Sequence, residues 1–329
     1  VLVLSLEILW LSEDNVRSVL TMEEAIPAVE AAFAEHGLGN VQMPPKSYLY
    51  YEHGDLRTMP AYIKKLEATG VKIVNSHPGN PERGMPSVMA VVVLNSVETG
   101  APLALMGGTY LTAVRTGAAG GIAAKHLARR ESSAVGIIGA GAQARTQIMA
   151  LSRLFDLEVV RVMDKSHERA RAFVSDVKGF LGCDCVPVSD GRDACECDIL
   201  VTATPSRAPV VLSDWVRDGT HINAIGADAP GKQELDPNLL KRAKVVVDDL
   251  SQAIHSGEVN VPISRGEYSG DEIHAQLGEI VAGKMPGREN EREITIFDST
   301  GLAIQDIAVA SLVYRKAREL NIGTVLDFI

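Results

Sequence analysis

Ala134-Val-Gly-Ile-Ile-Gly-Ala-Gly-Ala-Gln-Ala144 is the stretch on which the fold turns. Its first five residues read as a buried strand, and they run directly into Gly139-Ala-Gly141-Ala-Gln-Ala144, a Gly-x-Gly-x-x-Ala turn that opens a helix. Gly139 permits the tight turn, Gly141 keeps the backbone bare where a pyrophosphate approaches, and Ala144 lets the helix pack closely. The unpaired N–H groups of the first helical turn then face the phosphates. The next strand-like run, Val159 to Met163, ends at Asp164. An acid there accepts hydrogen bonds from an adenosine ribose 2′-hydroxyl and repels a 2′-phosphate. The pattern predicts NAD as cofactor, with NADP less favoured; the neighbouring Lys165 weakens that discrimination.

Working outward, further apolar runs follow at Ile199–Ala203, His221–Ile225, Val245–Val247 and Ile294–Phe297, with helix-like segments between most of them. That alternation predicts an α/β, Rossmann-type doubly wound parallel sheet. The first third reads differently, as mixed α+β. Thr21 and Glu24 are spaced as a capping box, and Met22, Ala25, Ile26, Val29, Ala32 and Phe33 recur at helical spacing up to Gly37-Leu-Gly39. Short β-type runs then appear at Tyr48–Tyr51, Val71–Val74 and Val88–Leu94, and a small-residue helix near Thr112 to Arg129. The tail, Leu302 to Leu320, is again helical and is expected to return to the first domain. The apolar start, Val1 to Trp10, carries Glu7 and no basic leader, so it reads as an edge strand and a poor signal peptide.

Composition bounds the partners. The 329 residues are 46% hydrophobic and 22% charged, which describes an ordinary globular chain of about two domains. Aromatics at 5% offer no stacking platform, and a net charge of −10 leaves no overall basic face, so nucleic acid is excluded as a partner. No run approaches the roughly 20 apolar residues of a membrane span. The four cysteines form two Cys-x-Cys pairs, Cys183/Cys185 and Cys195/Cys197. With no histidine between the pairs, free thiols in a cytoplasmic protein outweigh a zinc or iron–sulfur site, and no metal is expected.

Several cations sit inside otherwise apolar sequence: Lys46 after Met43-Pro-Pro, Arg57 in Asp55-Leu-Arg-Thr-Met-Pro60, Lys72 within a strand-like run, and Arg115 before Thr-Gly117. Lysine in a strand is costly unless paired or functional. Converging cations would suit a small carboxylate, with arginine supplying a fork. The bland alternative for each is a solvated surface charge. His77 reads as a turn histidine. Asp228 follows the run His221–Ile225, where parallel folds place ligands, and suits proton transfer at a reacting amine; the competing reading is an N-cap for a helix starting near Pro230.

Taken together, Lys72-Ile-Val-Asn-Ser-His-Pro-Gly-Asn80, Arg115-Thr-Gly-Ala118, Gly139-Ala-Gly-Ala-Gln143, His221-Ile-Asn-Ala-Ile-Gly-Ala-Asp228 with Pro230-Gly-Lys232, and Phe297-Asp-Ser-Thr-Gly301 resemble the ornithine cyclodeaminase/μ-crystallin family. The resemblance implies a homodimer. It implies a substrate-binding and dimerisation domain built from residues 1–127 and 303–329, with an NAD domain at 128–302 between them. It implies Lys72 and Asp228 as catalytic residues, and Lys46, Arg57, Lys72 and Arg115 around a substrate carboxylate. The implied cofactor-facing positions are Arg115, Gly139, Gly141, Ala142, Gln143, Asp164, Lys165, Ser166, Thr204, Gly226, Ala227, Asp228 and Ser299. Family members that cyclise ornithine carry a glutamate two residues before the Met-Pro; here that place is Arg57, which would repel a distal ammonium. Met43–Lys46 and Asp55–Pro60 resemble instead the members that oxidatively deaminate L-alanine to pyruvate and ammonium. Ornithine cyclisation, ketimine reduction and non-catalytic ligand binding are the alternatives on the same fold.

Overall fold

The structure, a computed structural model, describes residues 6–329. The chain divides into two compact units, Val1–Arg115 with Leu302–Ile329, and Thr116–Gly301. The division falls within the helix Thr109–Leu127.

The first unit is a mostly antiparallel sheet of β1 (Glu7–Leu11), β2 (Val41–Gln42), β3 (Ser47–Tyr51), β4 (Gly54–Ile63), β5 (Ala68–Ser76), β6 (Val88–Asn95), β7 (Pro102–Gly107) and the C-terminal strand Thr324–Asp327. The order runs C-terminal strand, β1, β7, β6, β5, β4, β2, with β3 also paired to β4. The expectation of an edge strand at the chain start is corrected. β1 lies between β7 and the C-terminal strand, because residues 324–327 return to pair with it; residues 1–5 lie outside the described ones.

β4 was not anticipated, since its Gly54–Pro60 segment is polar and contains a proline. It forms because ten residues pair in unbroken register with β5 and β3. On β6, Ala90, Val92 and Leu94 are buried while Met89 and Val91 are exposed, the period-2 signature of a sheet covered on one face. The cover is the helix Ala303–Leu320, which packs on β4, β5 and β6 and against the helix Met22–Leu38. The expected capping box is only half formed. The Thr21 hydroxyl donates to Glu24 instead of accepting from the helix backbone, and Glu24 also takes the Lys316 ammonium at 2.6 Å.

The second unit is an all-parallel sheet of β8 (Ala134–Ile138), β9 (Val159–Met163), β10 (Asp184–Pro187), β11 (Ile199–Thr202), β12 (His221–Ala224), β13 (Ala243–Val247), β14 (Ala275–Gln276) and β15 (Ile294–Asp298). Its order is β10-β9-β8-β11-β12-β15-β13-β14. Alternate residues of one strand feed two cores. Val135, Ile137, Ile199 and Val201 join one, with Ile148 and Phe173; Ile138, Leu200, Ile222 and Ile296 join the other. Burial on both faces is what makes these strands continuously apolar in sequence. The order reverses between β8 and β11, and that switch point is where such sheets open a ligand crevice at the strand carboxyl ends.

The cysteines carry no disulfide and separate between the cores: Cys195 and Cys197 in one, Cys183 and Cys185 against the other. Burial pushes the thiols of Cys185 and Cys195 up to about 12, which keeps them protonated. No helix among the described residues is long and apolar enough to cross a membrane.

Candidate functional site

In the first unit, β5 carries Lys72 with its side chain on the face covered by the helix Ala303–Leu320. In register, Lys72 stands opposite Met59, and Arg57 lies two residues along β4 on that same face, a diagonal neighbour. Lys72 is buried, with its Nζ 2.7 Å from Asp306 Oδ2. Asp306 Oδ1 accepts from Arg115 Nε at 2.8 Å, and Gln305 Oε1 accepts from Arg115 Nη1 at 2.7 Å. Burial first, then the Arg115 and Lys46 charges, lower the Lys72 ammonium to about 7 against the opposing pull of Asp306.

Arg57 is held otherwise. Asp55 receives its Nε at 2.8 Å and its Nη2 at 3.1 Å, and the guanidinium lies over the Tyr48 ring at 5.5 Å. The four cations anticipated from sequence therefore occupy one region, with Lys46 near enough for its charge to act on Lys72. None is a plain surface charge. The two carboxylates that balance them, Asp55 and Asp306, were not anticipated. A signal existed for the second: Gln305-Asp306 is the polar pair in the otherwise apolar first two turns, Ala303-Ile-Gln-Asp-Ile-Ala-Val-Ala310. His77 stands in the turn after β5, its ring 6.0 Å from that of Tyr51.

In the second unit, the predicted cofactor positions gather at the carboxyl ends of the parallel strands. Gly139 to Gln143 follow β8, Asp164 to Ser166 follow β9, Thr204 follows β11, Gly226 to Asp228 follow β12, and Ser299 follows β15. Gly139 has φ +99, and a Cβ there would sit 2.6 Å from the Ala203 oxygen, so the turn requires glycine. Gly141 is different. A Cβ there would meet nothing nearer than Arg169 at 3.9 Å, which leaves a bare cradle beside the first turn of the helix Ala142–Leu154. Gln143 Oε1 is buried without a hydrogen-bond partner, and Ser299 is buried beyond the end of β15. An open cradle, an orphaned acceptor and free helix N–H groups fit a dinucleotide.

Asp164 does more than the sequence implied. Its two oxygens accept from the Ala140 and Ser166 N–H groups, both at 2.9 Å, so it ties the glycine turn to the loop after β9. Ser166 in turn caps the helix His167–Val177, and Lys165 is exposed. Asp228 is not an N-cap, for no helix begins near Pro230. The loop instead runs to the helix Pro237–Arg242, and Asp228 Oδ1 lies 2.5 Å from Lys232 Nζ. His221 is a buried core histidine between Thr295 and Asn223, and burial lowers it to about 3, so the ring is neutral.

Glu234 escaped sequence reading because nothing local marks it. Its buried carboxylate accepts from the Thr202 hydroxyl at 2.8 Å, the Thr204 N–H at 2.7 Å and the Gly226 N–H at 2.8 Å, joining the loops after β11 and β12. Glu258 in turn accepts from the N–H groups of Glu234 and Leu235. Burial raises the Glu234 pKa, and the donated hydrogen bonds oppose the rise. Glu234→Gln offers one acceptor oxygen where three donors converge. It is expected to cost about 1–3 kcal/mol of stability, seen in thermal denaturation, and to weaken NADH binding in a fluorescence titration. An unchanged melting temperature with unchanged affinity would refute the clamp.

A doubly wound parallel sheet, with a glycine turn at its switch point and an acid after the next strand, defines the Rossmann-type nucleotide-binding class. The chain belongs to the ornithine cyclodeaminase/mu-crystallin family, whose sequence profile matches residues 7–321. It is 54% identical to the alanine dehydrogenase of Archaeoglobus fulgidus over 325 residues, 98% of this chain and 99% of that one. An archaeal alanine dehydrogenase dimer solved with bound NAD superposes with a TM-score of 0.96, at 54% identity, over 98% of this chain and 100% of that one. The Thermococcus litoralis Δ1-pyrroline-2-carboxylate reductase, solved with NADH and L-proline, gives 0.94 at 42% identity, over 96% of this chain and 99% of that one.

Proposed function

We propose that the chain is an NAD-dependent amino-acid dehydrogenase that interconverts L-alanine, NAD⁺ and water with pyruvate, ammonium, NADH and a proton. The observation that carries this reading is the buried cationic group of Lys72 and Arg115 on Asp306, a receptor for one small carboxylate. The 54% identity to an alanine dehydrogenase supports the choice of substrate. Residues 116–301 bind the cofactor, with the pyrophosphate at Gly141, Ala142 and Gln143 and the adenosine ribose at Asp164; Lys165, Ser166, Thr204, Gly226, Ala227 and Ser299 complete its surroundings. When bound, NAD supplies the hydride acceptor.

The chain's own residues do the rest. Lys46, Arg57 and Arg115 bind and orient the substrate carboxylate. Lys72 and Asp228 share the proton transfers at the amine and at the water that adds to the imine carbon. A lysine whose pKa lies near 7 holds or releases a proton at neutral pH, as general acid–base work requires. Arg57 disfavours a substrate with a distal ammonium and so argues against ornithine.

The exposed apolar side chains Leu49, Tyr50, Met89 and Val91 lie on β3 and β6, and a solved relative is a dimer; both support self-association as a homodimer. Free, protonated thiols are consistent with the cytoplasm.

A second reading, reduction of a cyclic ketimine with NADH, is favoured by the 42% identity to the pyrroline-2-carboxylate reductase. The test is the change in absorbance at 340 nm. Net NADH formation with L-alanine and NAD⁺, and NADH consumption with pyruvate and ammonium, are expected, with NADP(H) slower. NADH consumption with Δ1-pyrroline-2-carboxylate alone would replace this reading by the second. Proline formed from ornithine with no net NADH would overturn both.

A further inference from the structure

We propose that Asp306, seconded by Gln305, is a positioning residue: its carboxylate sets the place and charge of Lys72 and Arg115 so that the group presents one net positive charge to the substrate carboxylate. This rests on the reading of that cluster as the amino- or keto-acid site.

The geometry leads there directly. Asp306 is wholly buried, and it is the anion in contact with both cations, 2.7 Å from Lys72 Nζ and 2.8 Å from Arg115 Nε. The two oxygens divide the labour. Oδ1 accepts the Arg115 hydrogen bond, whereas Oδ2 has no well-directed hydrogen bond and depends on the nearby ammonium charge. Gln305 holds the other arm of the guanidinium through Nη1, so the fork is fixed at two points from one helical turn. Two cations and one carboxylate leave a net charge of +1. Without Asp306, two buried cations would face each other with Lys46 close by, and the lysine would shed its proton.

The groups that face Lys72 are Asp306 from the helix Ala303–Leu320, Arg115 from the helix Thr109–Leu127, and Lys46 from the segment before β3; Arg57 stands diagonally across on the same face of β4, its charge answered by Asp55. Its partners in the sheet, Met59 on β4 and Val92 on β6, are uncharged. The arrival of a substrate carboxylate adds a second anion and favours the ammonium. Asp306 therefore decides how much of Lys72 is protonated before the substrate binds.

The test is Asp306→Asn, a change of charge at nearly constant shape. The full chain is labelled with [ε-¹³C]lysine and titrated by NMR, with the Lys72 signal assigned by its loss in Lys72→Arg. Asp306→Asn is expected to move the Lys72 midpoint to lower pH by about one unit or more. The KM for pyruvate should rise about tenfold or more, with the NADH Kd little changed. A residue that merely holds the fold would lower the melting temperature and leave the midpoint in place; that result overturns the proposal. Should Asp306→Asn fail to fold, Arg115→Met serves instead. With Asp306 then unopposed, the midpoint must rise, and a fixed midpoint again overturns the proposal. A shifted midpoint in a protein that turns over neither alanine nor pyruvate leaves the positioning role standing and removes the functional reading. Turnover with an unmoved midpoint does the reverse.

Discussion

Lys72→Ala is expected to lower kcat/KM for L-alanine by about a thousandfold, while NADH binds with nearly unchanged affinity. The reason is where the lysine sits. It is 1% exposed on a central strand, and burial with two neighbouring cations brings its pKa to about 7, so it can exchange a proton at the pH of the reaction. The proposed nucleotide-binding groups follow other strands, in the second unit. The substitution also strips Asp306 Oδ2 of the ammonium beside it and leaves Arg115 to balance a buried carboxylate. Some stability is lost, so circular dichroism must first establish the folded fraction. Turnover is then measured well below the melting temperature. Intact NADH binding with undiminished turnover would end the catalytic role of Lys72.

Gly141→Val is expected to raise the NADH Kd by about a hundredfold with a melting temperature within about 2 °C of wild type. The backbone at Gly141 has φ −89 and ψ −172, an extended conformation that valine adopts freely, and its Cβ direction points into open space. The added side chain therefore costs the protein little and occupies the place proposed for the pyrophosphate. Gly139→Ala gives the contrast. With φ +99 and the Ala203 oxygen 2.6 Å from the new Cβ, it is expected to destabilise the fold itself. Fluorescence titration with NADH, paired with thermal denaturation, separates the two. Tight NADH binding by Gly141→Val would show that the dinucleotide lies elsewhere.

Much of this was legible along the chain because it is local. The strands of the second unit, buried on both faces, read as unbroken apolar runs, and the observed β8, β9, β12 and β15 match those runs to within a residue. The glycine turn and Asp164 pointed to a nucleotide-binding unit because the chemistry demands those residue types at that spacing. β4 was hidden. Its residues, Gly54-Asp-Leu-Arg-Thr-Met-Pro60, carry one cation and one acid of the candidate site, Arg57 and Asp55, and such a polar strand breaks the apolar pattern by which strands are recognised.

The sequence by itself determined the class of the second unit, its glycine turn, the identity of the four candidate cations and the family. Only the tertiary structure decided which anions answer those cations. Asp306 reaches Lys72 and Arg115 across 234 and 191 positions respectively, and Glu234 reaches the Thr204 and Gly226 loops from a segment with no motif of its own. The physical reason is common to both. A hydrogen-bonded turn or an amphipathic period is written in neighbouring residues, whereas the partner of a buried charge is chosen by packing, which brings together residues distant in the chain.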